Sequence, residues 1–488
     1  MRVATGEQEA VDRVPKQLLI GGEWRDAGEG GKLSVEDPST GEALTEVADA
    51  TPDDAKAALA AAHEARDEWA ATPPNTRSEI LHKAFETLNE RADDLALLMT
   101  LEMGKTIAES KGEIAYASEF FRWFAGEALR IEGLYKVAGN GSGRVLVMRQ
   151  PVGPCLMITP WNFPTAMGTR KIGPAIAAGC TMVVKPARQT PLSMLALAEI
   201  LGECGLPDGV LNVITSSSSG ETMGPLIEDP RARKLSFTGS TEVGQKLIEQ
   251  SAGQVLKLSM ELGGNAPFLI FADADLDAAV EGAMIAKMRN VGEACTSANR
   301  FHVADSVAGE FAERLGERMG AMKVGRGTED GVEVGPLIDD DQRSKVAELV
   351  DDATGKGATA VVGGQRVDGS GYFYEPTVLS DVSDDARLLK EEIFGPVAPV
   401  KGFADEDEAV AAANDTEFGL VSYVYTNDLK RALRVCENLQ TGMIGLNQGL
   451  VSNAGAPFGG VKQSGVGREG GNEGIDEYLE TKYVAVNL

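Results

Sequence analysis

Lys234-Leu-Ser-Phe-Thr-Gly-Ser-Thr-Glu-Val-Gly244 reads as a β run from Lys234 to Phe237 that turns at a glycine and opens a helix at Thr241. Gly239 lets the backbone approach a phosphate, and the free N–H groups after Ser240 favour an anion. The string lacks the full Gly-x-Gly-x-x-Gly spacing, so by itself it fits an ordinary strand–turn–helix better than a phosphate site. Its neighbours decide the fold. The apolar run Thr181-Met-Val-Val184 precedes a helical pattern from Leu192 to Cys204, then Val210-Leu-Asn-Val-Ile214 and a helix-like stretch from Glu221 to Glu228. Such strand–helix alternation implies a parallel, doubly wound α/β sheet. Ligands of these sheets sit at the carboxyl edge, where Lys185 ends its apolar run.

Alternation resumes further along, with Pro267-Phe-Leu-Ile270, a helix from Asp275, Gly357-Ala-Thr-Ala-Val-Val362, Tyr374-Glu-Pro-Thr-Val378 and a helix around Ala409. Residues 17–48 read as short strands with turns. Thr51 is the expected N-cap of a long helix, with Asp53 and Asp54 in its first turn, and helices continue to about Glu132. Arg144-Val-Leu-Val-Met-Arg149 and the segment Tyr478 to Val486 are strand-like.

A chain of 488 residues is too long for one ordinary core. No stretch is long and apolar enough for a membrane span, and Met1-Arg-Val-Ala-Thr-Gly-Glu-Gln shows no secretory signal. The net charge of −28, from 46 basic and 74 acidic residues, would repel a nucleic-acid backbone. The acid is spread along the chain, as in Asp339-Asp-Asp341 and Asp405-Glu-Asp-Glu408, which suits either a halophilic surface or a merely acidic enzyme. Five scattered cysteines without Cys-x-x-Cys spacing argue against a disulfide framework or a metal site and point to a reducing cytoplasm.

One of those cysteines has a suggestive setting. Cys295 lies in Asn290-Val-Gly-Glu-Ala-Cys-Thr-Ser-Ala-Asn-Arg300, and Glu261 in Met260-Glu-Leu-Gly-Gly-Asn265. A thiol and a carboxylate in glycine-rich turns suggest covalent catalysis followed by base-assisted hydrolysis. None of the three histidines (His63, His82, His302) is near either segment, so a Cys–His pair is not expected. Without further context Cys295 also fits a buried inert thiol, Glu261 a capping or salt-bridge carboxylate, and Asn162 a turn-capping amide.

That context comes from order. Pro160-Trp-Asn-Phe-Pro164, Val184-Lys-Pro186, Phe237-Thr-Gly-Ser-Thr241, Glu261-Leu-Gly-Gly264, Cys295, Glu392-Ile-Phe-Gly-Pro396, Asn447 and Pro457-Phe-Gly-Gly-Val-Lys-Gln-Ser-Gly465 follow one another along the chain. Together they resemble the aldehyde dehydrogenase superfamily over nearly the whole sequence. The resemblance implies a Rossmann-type dinucleotide-binding domain (1–130 and 152–262), an α/β catalytic domain (263–465) and a small β oligomerisation arm (131–151 and 466–488). The arm implies a homodimer or homotetramer, because its terminal strand needs a partner edge.

The same resemblance implies the site. Cys295 attacks an aldehyde, Asn162 and the Cys295 N–H hold the oxyanion, hydride leaves to a nicotinamide, and Glu261 activates water against the thioester. Trp161 and Ser240 hold the diphosphate, Lys185 the adenosine ribose, Glu392 the nicotinamide ribose, and Phe394 flanks the nicotinamide or is a plain turn-packing aromatic. Arg188 stands where NAD-preferring relatives commonly carry glutamate. An arginine there suits the 2′-phosphate of NADP, NAD being the other candidate, although it also fits a solvated helix start. Glu293 departs from the family's usual glutamine and is expected to point away from the thiol, since an inward acid would raise the thiol pKa.

Within the superfamily the chain is most similar to succinate-semialdehyde dehydrogenases, in Phe163-Pro-Thr-Ala-Met-Gly-Thr-Arg-Lys171, Tyr374-Glu-Pro-Thr-Val-Leu379, Val461-Lys-Gln-Ser464 and Tyr478-Leu-Glu-Thr-Lys-Tyr483. Arg170, Arg289 and Ser452 fall at that subfamily's carboxylate-binding positions, though either arginine also fits a structural ion pair. Glutarate or 2-oxoglutarate semialdehyde would suit the same anchors. Ser297 replaces the second cysteine of the redox switch found in some members, so no switch is expected. A coenzyme A acyl transferase, a non-oxidative thiol esterase and an inert scaffold are the competing classes; Glu261 counts against the first.

Overall fold

The computed structural model describes residues 5–487, arranged around four sheets. The first four residues of the stretch read for a secretory signal, and the last residue of the expected arm, lie outside the described residues.

The largest sheet has the order Gly465–Val466, Lys257–Glu261, Lys234–Thr238, Cys155–Ile158, Met182–Lys185, Leu211–Val213, Leu18–Ile20, Glu23–Arg25. Its five central strands are parallel, as their alternation with helices implies. Its edges depart from the expected all-parallel pattern. Gly465–Val466 pairs antiparallel with Lys257–Glu261, and Leu18–Ile20 with Leu211–Val213. Neither edge strand reaches its neighbour through the crossover helix that makes consecutive strands parallel. Along the central strands alternate residues enter different cores. Cys155, Met157, Met182 and Val184 pack with Phe120 and Leu195, whereas Leu156, Ile158 and Val183 pack with Leu59 and Leu226. Burial on both faces is why these strands read as unbroken apolar runs.

The second sheet has seven strands, in the order Thr359–Val362, Thr377–Ser380, Val397–Phe403, Ala298–Ala304, Ala266–Ile270, Val421–Tyr425, Met443–Leu446. Only its first pair is antiparallel. At its centre the Phe268 ring lies 5.2 Å from that of Phe301 and 5.5 Å from that of Tyr423, tilted against both. Leu479–Val486, Arg144–Pro151 and Leu134–Val137 make a separate antiparallel sheet that leaves Tyr135 and Tyr483 exposed. A hairpin of Lys32–Asp37 and Glu42–Ala48 is the fourth.

Helix starts show how the chain orients its parts. Thr51 caps Pro52–Ala71 as expected: its Oγ accepts from Asp54 N–H at 3.2 Å, and the Asp54 carboxylate accepts from Thr51 N–H at 3.0 Å. Pro164–Ala178 and Pro191–Glu203 have no such local cap. Distant carboxylates replace it. Glu113 accepts from the N–H groups of Thr165 (2.9 Å) and Ala166 (3.1 Å), and Glu102 from those of Leu192 (2.7 Å) and Ser193 (2.8 Å). Anions suit these positions because first-turn N–H groups have no intrahelical partner. Burial nevertheless pushes the Glu102 carboxyl up to about 7. Among the described residues no helix is long and apolar enough to cross a membrane.

Candidate active site

Cys295 sits in the connection between Leu276–Met288 and Ala298–Ala304. Asn290, Val291 and Gly292 there have φ of +55°, +57° and +79°. Left-handed backbone costs an L residue about 1–2 kcal/mol, and a β-branched valine tolerates it poorly. The loop is held by its surroundings. Asn290 Nδ2 donates to the carbonyls of Glu293 (2.9 Å) and Asn162 (3.0 Å), and Asn162 Nδ2 donates to the same Glu293 carbonyl at 3.0 Å. A Cβ on residue 292 would lie 2.2 Å from the Gly395 carbonyl, so only glycine fits. Glu293 does turn elsewhere: its Oε1 accepts from Ile338 N–H at 3.1 Å, and burial holds this carboxyl well above the usual range.

Cys295, Asn162 and Glu261 line one cavity of about 220 Å³. Glu261 ends the strand Lys257–Glu261, and its carbonyl accepts from Gly239 N–H at 3.0 Å. Both of its carboxylate oxygens are buried without a hydrogen-bond partner among the described residues. Burial and then Glu469 hold this carboxyl well above the usual range, against the pull of Arg170 and Lys171. Once ionised, a carboxylate with its proton affinity raised in this way is a stronger base than an exposed one. Burial pushes the Cys295 thiol up to about 12. Arg170 opposes this, Glu392 and Glu261 reinforce it, and Arg289 opposes it again.

Trp161, Gly239, Ser240, Glu392 and Phe394 line the same cavity. Ser240 caps Thr241–Ser251. A Cβ on residue 239 would meet the Phe237 ring at 2.4 Å, which leaves an open cradle only for glycine. Phe394 (φ +55°) meets Trp161 edge to face at 5.4 Å, and Gln342 Nε2 holds its turn by donating to the carbonyls of Ile393 (3.1 Å) and Phe394 (2.6 Å). Glu392 Oε1 accepts from Gly264 N–H at 3.1 Å, and burial pushes its carboxyl up to about 7. Lys185 and Arg188 lie outside this cavity. Lys185 is buried at the end of Met182–Lys185, where burial and then Arg188 bring its ammonium down to about 8. Arg188 is exposed. A glycine cradle, a helix N-terminus and a buried lysine along one carboxyl edge fit a dinucleotide.

The expected carboxylate anchors behave differently from one another. Arg170, 2 % exposed, already pairs with Glu469 (Nε to Oε2 3.0 Å), and its guanidinium lies 3.8 Å from the Phe458 ring centre. Lys171 shares Glu469 at 2.6 Å. The structural ion pair weighed for Arg170 is therefore present. Arg289 forms no ion pair among the described residues; it donates to Ser452 Oγ at 3.2 Å and lies 4.8 Å from the Phe163 ring centre. All three anchors line the Cys295 cavity. Sequence reasoning missed Tyr116, Gln342 and Lys345 on its wall, and the buried pair Lys105–Glu113 (2.6 Å) whose ammonium donates to the Asn162 carbonyl at 2.7 Å. No local motif announces them. Among the described residues no group of His, Cys, Asp and Glu could hold a metal ion.

A doubly wound fold with a nucleotide-type cradle here brings a thiol and an unpartnered carboxyl to one chamber, as suits an oxidoreductase of the dinucleotide-binding class. The family model described as "Aldehyde dehydrogenase family" matches residues 24–484, and the chain belongs to that family. It is 56% identical to a succinate-semialdehyde dehydrogenase of Paenarthrobacter nicotinovorans over 91% of this chain and 98% of that one. It is 51% identical to a glutarate-semialdehyde dehydrogenase of Pseudomonas putida, over 97% and 98%. A solved Escherichia coli structure described as an NADP dependent enzyme superposes with a TM-score of 0.96 at 50% identity, covering 97% of this chain and 98% of that one.

Proposed function

We propose that this enzyme oxidises succinate semialdehyde to succinate with NADP, NAD serving as the alternative acceptor. The observation that carries the proposal is Arg289. It is a cation with no carboxylate partner among the described residues, held beside Ser452 on the wall of the chamber that contains Cys295 and Glu261. An arginine so placed is shaped to receive the carboxylate at the far end of a semialdehyde.

In the proposed cycle the Cys295 thiolate attacks the aldehyde carbon. The oxygen gains charge and takes hydrogen bonds from the Asn162 amide and the Cys295 N–H. Trp161, Gly239, Ser240, Lys185, Arg188, Glu392 and Phe394 would hold the dinucleotide, which when bound supplies the hydride acceptor. Glu261 then takes a proton from water, the hydroxide attacks the Cys295 thioester, and the C–S bond breaks to release the acid and restore the thiol.

The relative named for glutarate semialdehyde favours a second reading in which the tail is one carbon longer. A single methylene is worth only about 1–3 kcal/mol in a pocket, so the same anchors serve both. The test is kcat/KM for succinate semialdehyde, glutarate semialdehyde and acetaldehyde with each nucleotide, beside Cys295→Ala. Preference for one semialdehyde, lost in the variant, is expected. Equal turnover of acetaldehyde would remove the carboxylate anchor, and hydrolysis of esters without any reduced nucleotide would favour the thiol esterase.

The further attributes belong to the same proposal. The five cysteines are unpaired, which supports a reducing cytoplasm. The exposed Tyr135 and Tyr483 on the small sheet support an arm (131–151 and 466–488) that joins subunits of a homodimer or homotetramer. The dinucleotide domain (1–130 and 152–262) and the catalytic domain (263–465) complete the proposed division. The charge of −28 supports adaptation to high salt.

A further inference from the structure

We propose that Tyr116 is a specificity-determining donor to the distal carboxylate of the substrate, an inference that rests on the semialdehyde reading above. Tyr116 lies on the helix Ile107–Glu127, with its ring packed edge-on against Phe120 at 4.9 Å. It lines the Cys295 chamber and also an adjoining cavity of about 300 Å³. The two cavities share Tyr116, Phe163, Arg289 and Ser452, so these four side chains form the partition between them.

The partition holds more donors than acceptors. The Tyr116 hydroxyl is buried with no hydrogen-bond partner among the described residues, and the same is true of Arg170 Nη2. The Arg289 guanidinium lies 5.8 Å from the Tyr116 ring centre, and Tyr116 interacts electrostatically with Arg170. Guanidinium groups donate and cannot accept, and Ser452 Oγ already accepts from Arg289. A buried O–H without an acceptor is destabilising, whereas phenylalanine would fill the same ring space without that cost. What this partition lacks is an acceptor with several lone pairs, since no carboxylate is among its four side chains. A carboxylate supplies two oxygens and about four acceptor sites, enough for Tyr116, Arg170 Nη2 and Arg289 together.

Tyr116→Phe removes only the oxygen. The readout, in the full chain with NADP, is kcat/KM for succinate semialdehyde divided by kcat/KM for butanal, an uncharged aldehyde of equal carbon number. Losing a hydrogen bond to a charged group should lower this ratio about 10- to 100-fold, mainly through KM for the semialdehyde. A packing role would change both substrates together and leave the ratio as it is, which would overturn the proposal. Succinate, tested as an inhibitor of butanal oxidation, should weaken by a similar factor in the variant. If the wild-type enzyme itself does not prefer the semialdehyde, the functional reading falls and Tyr116 with it. If the wild type prefers it and the variant does so equally, Tyr116 alone is refuted.

Discussion

The thiol offers the most direct test of how this chamber works. An ordinary thiol titrates at 9.0, and burial pushes Cys295 up to about 12. That difference corresponds to about 4 kcal/mol against ionisation and roughly 1,000-fold less thiolate at neutral pH. Because only the thiolate alkylates, the enzyme free of nucleotide and substrate should react with iodoacetamide at Cys295 roughly 1,000-fold more slowly than a free thiol does at pH 7.5. Its rate should keep rising tenfold for each pH unit, with no plateau below about pH 10. Arg170 is the first charge opposing the shift, so Arg170→Gln should slow alkylation further. The label is followed by mass spectrometry of the Cys295 peptide, which separates it from any label on half-buried Cys436. A plateau near pH 7 to 8, or faster alkylation in Arg170→Gln, would refute this account of the chamber's electrostatics.

Glu261→Gln should leave the attack and the first reduction intact while slowing hydrolysis by about 100- to 10,000-fold, seen as a burst of one reduced nucleotide per site. Slow steady turnover without a burst would place Glu261 elsewhere in the reaction. Arg188→Glu should lower the NADP-to-NAD ratio of kcat/KM by about 10- to 100-fold, and an unchanged ratio would remove Arg188 from the 2′-phosphate. Glu113→Ala leaves the Lys105 ammonium buried and uncaps Pro164–Ala178, which should cost about 3–5 kcal/mol and appear as a lower Tm. Glu293→Gln tests the buried acid at the thiol loop. Its folded pKa lies above the ordinary 4.5, so its favourable contribution is complete below that value and is lost as pH rises toward the folded pKa. The variant should therefore gain stability over the wild type as pH increases, and a Tm difference independent of pH would contradict this.

The legible parts of the site are those written into short contiguous strings. Phe237 to Gly244 announces a strand, a turn and a helix start, and its glycine is required by a ring at 2.4 Å from the missing Cβ. Cys155–Ile158 and Met182–Val184 are readable because both faces are buried, leaving no polar alternation to confuse with a half-exposed strand. The edge strands are not. Nothing in Leu18–Ile20 says that it will pair with Leu211–Val213 far along the chain. The same distance hides Lys171–Glu469, separated by 298 positions, and with it the fact that Arg170 would already have a carboxylate. Tyr116 was invisible for another reason: one aromatic on a helix that otherwise buries Phe120, Phe121 and Phe124 reads as core. Phe394 adopts φ +55°, and phenylalanine gives no hint of a left-handed turn that Gln342 holds from the helix Asp340–Gly355.

The charges of the chamber set an order among its events. Glu261 and Glu392 are held toward their neutral forms by burial, and so is Cys295. Before any ligand enters, the cations nearest the thiol are thus Arg170, which shares Glu469 with Lys171, and Arg289, which has no counterion among the described residues. The two arginines that would receive a substrate carboxylate are also the two cations that favour the Cys295 thiolate. A bound tail therefore screens the groups that help the thiol ionise, and tail binding and thiolate formation oppose each other through shared partners. The Glu469 carboxylate limits this conflict at Arg170, whose charge it offsets in part while also pairing with Lys171. The net change on tail binding then falls chiefly on Arg289, the weaker of the two influences on the thiol. With Glu469 at Arg170 and Arg289 left open, the proposed chamber would hold a carboxylate at its far end while keeping most of the help that Cys295 receives.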